Sequence, residues 1–98
     1  MASRNIKWSK TVQTRIKEIF DWYAREVDHL AAEHFIQDVL STANIVSQMP
    51  TIGTKDTRRS TEGKMYYSIL IHPKYRLIYR FTSRTIYIVA IHCTLMKG

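Results

Sequence analysis

With 98 residues, 45% of them apolar and only three glycines and two prolines, the chain holds enough for one hydrophobic core and too little for two, so a single domain over 1–98 is expected. Its one cysteine, Cys93, excludes an internal disulfide and fits no metal spacing, which points to a reducing, cytoplasmic setting with neither metal nor cofactor. The formal charge of +7 is one-sided: residues 1–49 carry six basic and six acidic side chains, residues 50–98 nine basic and two acidic, and no Asp or Glu follows Lys64. An excess gathered in one half builds a directional field that attracts a polyanion or an acidic protein. The isoelectric point near 9.8 meets the criterion for nucleic-acid binders, as ribosome-associated proteins and partners of acidic proteins also do.

The opening MASRNIKWSK is positively charged but leads into no apolar run, unlike a signal peptide. Asn5 to Trp8 reads as a short strand, and Ser9 as the N-cap of a helix on which Val12, Ile16, Ile19, Phe20, Tyr23 and Val27 recur at steps of three and four. A second helix follows from Ala32, Phe35, Ile36, Val39, Leu40, Ala43 and Val46, and Pro50 ends it. The turn between them falls near Asp28 to Leu30 and makes an antiparallel hairpin. Trp8 and Trp22 are expected in the core or between the helices. His29 and His34 have no cysteine partner, so they suggest no metal site.

Residues 51–64 are polar, contain Gly53 and Gly63, and read as a surface loop. After them the period falls from 3.6 to 2, and Tyr66 to Ile71, Tyr75 to Phe81 and Thr85 to Ile91 read as three strands. His72-Pro73-Lys74 and Thr82-Ser83-Arg84 are short enough to join them as hairpins. The fold class is α+β: a helical hairpin packed on a small antiparallel sheet, in the order β-α-α-β-β-β. No membrane partner is expected, because Lys74, Arg76, Arg80 and Arg84 interrupt the most apolar stretch.

In the middle strand, Tyr75, Leu77, Tyr79 and Phe81 face the helices, and Arg76, Ile78 and Arg80 face away. Arg76 and Arg80 then stand roughly 13 Å apart on a basic, partly apolar surface. By itself Arg76 is an ordinary charge on the solvated face of a half-buried strand. His92 continues the alternation of Ile86, Ile88 and Ala90 and reads as a strand-end residue of that face. The tyrosines are mainly sheet packing, although an exposed one could stack on a base.

The segments IKWSK, SQMP, Gly53, KYRLIYRF and TIYIVAIH, in that order, resemble the RelE/ParE superfamily of bacterial toxins. The resemblance spans Ile6 to about His92. It implies a small toxin neutralised by a cognate acidic antitoxin, with a homodimer or a toxin–antitoxin hetero-oligomer as its assembly. One branch of the superfamily cuts mRNA on the ribosome, and another poisons DNA gyrase without being a nuclease. The ribonuclease branch uses an arginine in its YR(L/I)(V/I)Y strand, a position held here by Arg76. There the resemblance gives Arg76 the role of stabilising a phosphorane and His92 that of acid or base. Some ribonuclease members add a lysine pair on the preceding strand, where YYSILI has Ser68 and Leu70 instead. The arginine common after the last strand is also missing, and Glu62 and Lys64 are the only other nearby acid–base candidates. This thin set favours the gyrase-directed reading over mRNA cleavage, with a non-toxic nucleic-acid-binding module as a third alternative. Lys55, Arg58, Arg59, Lys64, Lys74, Arg80 and Arg84 are the candidates for nucleic-acid or partner binding.

Overall fold

The computed structural model describes residues 4–58, 60, 63–71 and 74–94. The chain forms β1 (Asn5–Trp8), α1 (Lys10–Glu26), α2 (His29–Gln48), a 3-10 turn (Pro50–Ile52), β2 (Thr54–Lys55), β3 (Tyr67–Ile71), β4 (Tyr75–Phe81) and β5 (Thr85–Cys93). This is the expected α+β arrangement, with one short strand, β2, inside the segment expected to be loop. Ser9 caps α1, its Oγ accepting from the Val12 amide at 3.2 Å. Asp28 does the same for α2, accepting from the Ala31 amide at 2.7 Å. A cap, rather than a glycine or proline, therefore separates the helices, each cap offering an acceptor to an otherwise orphaned first-turn donor. Pro50 sits at the start of the 3-10 turn, where its missing N–H costs nothing.

The five strands lie in the order β1-β5-β4-β3-β2. The meander of β2 to β5 is antiparallel, as the hairpin connections require, but β1 joins β5 in parallel, so the sheet is mixed. The helical hairpin supplies the crossover that a parallel neighbour needs. The Ser9 amide donates to the Ile88 carbonyl at 3.0 Å and ties the end of β1 to the sheet. Between β4 and β5 the Thr82 hydroxyl accepts from the amides of Arg84 and Thr85, which closes the turn. In the expected β3–β4 connection, His72 and Pro73 lie outside the described residues.

One irregularity decides the sheet's chemistry. Ile78 pairs with Ala90 but Tyr79 pairs with Ile88, so Val89 is an extra residue bulged out of β5. Strict alternation would put His92 on the face of Ile86 and Ile88. The bulge resets the alternation, so that Ile91 and Cys93 pack with the core while Ala90 and His92 turn outward. The sequence expectation for the facing of His92 is corrected by this one residue.

The core lies between the helices and the inner sheet face. Val12 and Ile19 of α1 and Phe35, Val39, Ala43 and Val46 of α2 meet Ile71, Leu77, Tyr79, Ile86 and Ile88. Trp8 packs partly buried against this cluster, whereas Trp22 is 44% exposed, contrary to expectation. Val27 and Leu40 are exposed too, at the end of α1 and on a flank of α2.

Tyr79 anchors the segment after α2. Its ring is buried, and its hydroxyl donates to the Pro50 carbonyl at 2.7 Å and accepts from the Gly53 amide at 3.1 Å. A Cβ on Gly53 would stand 2.5 Å from that hydroxyl and 2.6 Å from the Ser68 carbonyl oxygen, so only glycine permits the approach. Burial pushes the Tyr79 hydroxyl above the usual phenol range. Burial, reinforced by a hydrogen bond with Tyr23, pushes Tyr75 up as well.

Candidate functional site

The outer face of the sheet, away from the helices, is built by the residues that alternate with the core. On β4 these are Arg76, Ile78 and Arg80. Arg76 has Leu70 of β3 opposite it on one side and His92 of β5 on the other. Its Nη1 donates to Oγ of Ser68, a nearly buried side chain, at 3.3 Å. The two residues expected to carry chemistry are thus cross-strand neighbours, brought together by the bulge at Val89. Leu70 beside them is 48% exposed.

Four residues along β4, Arg80 forms a second cationic position. It lies opposite Tyr87, and its guanidinium stands over that ring at 4.3 Å from the centroid. Tyr87 is in turn opposite Lys7 of β1. A row of Lys7, Tyr87 and Arg80 therefore crosses three strands. Between the two positions lie Ala90 and Ile78, the latter only 4% exposed although it is not part of the core cluster.

The remaining expected binding residues are spread around the rim. Lys74 precedes β4, where its carbonyl accepts from the Thr94 amide. Arg84 is exposed in the turn between β4 and β5. Lys55 pairs with the core-facing Tyr67 and so belongs to the other side of the sheet's edge. Arg58 and Lys64 are exposed in the loop between β2 and β3, whose base is closed by the Asp56 amide donating to the Tyr66 carbonyl at 2.8 Å. Arg59 and Glu62 lie outside the described residues.

Lys7, Ser68 and Tyr87 were not among the expected site residues. Lys7 had a legible signal, since it alternates outward between Ile6 and Trp8. Its partner did not, because nothing in the sequence marks a parallel pairing between residues 5–8 and 85–88.

Among the described residues, the ion pairs sit on the helices, as Arg15–Glu18, Lys17–Asp21 and Arg25–Glu26, with His29 close to Glu33 beside them. All are exposed and worth little to stability. Among the described residues, no strand contains an Asp or Glu, and no group of three His, Cys, Asp or Glu side chains could hold a metal ion. Among them too, no helix is long and apolar enough to cross a membrane. Chemically, Arg76 can stabilise an anion and His92 can exchange a proton beside it. A second cation and a carboxylate base are missing from their immediate strand neighbours, which are Ser68 and Leu70.

Comparison with known proteins agrees with this architecture. Residues 6–97 match the family described as the ParE toxin of the type II toxin-antitoxin system, parDE. Among solved structures, the chain is similar to one titled chromosomal ParDE TA system from P. aeruginosa, with a TM-score of 0.71 and 18% identity. That match covers 93% of this chain and 96% of the other, and at this identity it shows the fold. No curated protein matches the sequence.

Proposed function

Because the chain belongs to the ParE toxin family of type II toxin-antitoxin systems, we propose that it arrests growth by poisoning DNA gyrase and that a cognate acidic antitoxin neutralises it. The observation that carries the non-nuclease part is the company Arg76 keeps. Cleavage by a 2′-hydroxyl needs a base, an acid for the leaving oxygen and cations around the phosphorane. Among the described residues, Arg76 has one imidazole, one serine hydroxyl and one exposed leucine as its strand neighbours, which is a poor set for three tasks. A protein target makes no such demand on the site.

The reading puts the antitoxin on the outer edge of β3. β2 covers β3 only at Tyr67 and Ser68, so among the described residues Ile69 to Ile71 have no strand partner on that side. An extended segment can add there through main-chain hydrogen bonds, with acidic side chains reaching the rim cations.

A second reading, a ribosome-dependent endoribonuclease, is favoured by one fact: the bulge brings His92 directly opposite Arg76. The test is a supercoiling and cleavage assay with purified gyrase. Inhibition, or accumulation of cleaved DNA, at stoichiometric protein supports the gyrase reading. Unaffected gyrase alongside arrested growth sends the reading to the ribosome.

A further inference from the structure

We infer that the outer sheet face is a binding platform for single-stranded nucleic acid, with one base stacked on the Arg80–Tyr87 pair and phosphates held by Lys7 and Arg76. This goes beyond the gyrase reading and does not depend on it.

The face combines two properties. First, it is cationic: Lys7, Arg76 and Arg80 project from strands that contain no acidic residue among the described ones, while the described ion pairs belong to the helices. Second, it carries a flat stacking element. The Arg80 guanidinium lies over the Tyr87 ring, and both side chains are partly exposed; aromatic or guanidinium planes stack on bases of any sequence. The waist between the two cationic positions is apolar and small, with Ile78 sunk to 4% exposure and Ala90 beside it.

An acidic peptide fits this face less well. The backbone of β4 is paired on both sides over Tyr75 to Tyr79, and that of β5 over Thr85 to Ile88, so over these spans a peptide gains main-chain hydrogen bonds only at an edge of the sheet. A polynucleotide needs charge and stacking, which the face offers.

The experiment is fluorescence anisotropy of the full chain with labelled 12-residue oligo-dT and oligo-U, over a salt series, with a polyglutamate peptide of equal length as competitor. The two oligonucleotides distinguish DNA from RNA as the source of the same chemistry. Each phosphate contact on a single strand contributes about 0.7 to the log–log salt slope, so the Lys7→Ala/Arg76→Ala variant should lose roughly 1.4 of that slope. Arg80→Lys keeps the charge but not the plane. It should bind about 5-fold or more weaker with an unchanged slope. Lys17→Ala, on α1 and paired with Asp21, should behave as the unaltered chain, and thermal melts confirm that each variant is folded. The inference is overturned by absence of oligonucleotide binding, by an Arg80→Lys variant equal to the unaltered chain, or by polyglutamate binding as tightly as the oligonucleotides. The last result would assign the face to an acidic protein. Because the readout involves neither gyrase nor growth, its failure is separate from that of the gyrase reading.

Discussion

Along β4, Tyr75, Leu77, Tyr79 and Phe81 turn toward the helices while Arg76, Ile78 and Arg80 turn away, so one seven-residue strand meets two different environments. The inner residues are held by shape. Leu77 and Tyr79 are each 1% exposed, and Tyr79 also fixes Pro50 and Gly53 through its hydroxyl. The outer residues owe their neighbours to register, and their positions depend on which strand lies next to which. The inner face should therefore tolerate little change, while the outer face should accept changed chemistry on the same scaffold.

The largest expected effect lies on the inner face. Leu77→Ala removes buried contacts on several sides and should cost about 2–5 kcal/mol, seen as a large fall in Tm or loss of soluble protein. Gly53→Ala comes next. Its new Cβ meets a backbone carbonyl that cannot move cheaply as well as the Tyr79 hydroxyl, so a loss of about 1–3 kcal/mol is expected by denaturant melts.

The buried phenols add a pH signature to the same face. The folded Tyr75 holds its proton more tightly than the ordinary value of 10.0, chiefly through burial. Its contribution to stability is therefore complete below about pH 10 and lost as pH rises above it, since the unfolded chain gives up its proton first. Tyr75→Phe should flatten the fall in Tm through the alkaline range. An unchanged slope would place the titrating group elsewhere. On the outer face, Arg76→Ala and His92→Ala should each leave stability within roughly 0.5 kcal/mol. A larger loss from either would mean that this face, too, is held by packing.

The same contrast sorts what the sequence made legible. Helical spacing marked both helices, and alternation marked the inner set of β4, because burial imposes a period on apolar residues. Arg76 and Arg80 could be placed on one outer face for the same reason. The partnership of Arg76 with His92 was hidden, since it depends on the bulge at Val89, a residue as apolar and β-branched as its neighbours. Lys7 could be seen to point outward, but its place beside Tyr87 follows from a parallel pairing across some 80 residues of sequence. The two-residue β2 was too short to carry any periodicity. Trp22 misled because its position flanks the apolar stripe of α1 without entering it.

The most direct test of the gyrase-directed reading is transcriptome-wide mapping of 5′ ends after brief induction in a bacterial host, with growth followed in parallel. The account predicts growth arrest without new 5′ ends, and at least partial arrest by Arg76→Ala and His92→Ala variants that fold normally. New ends inside translated codons, lost in Arg76→Ala, would contradict it and make the Arg76–His92 pair the centre of a ribosome-dependent ribonuclease.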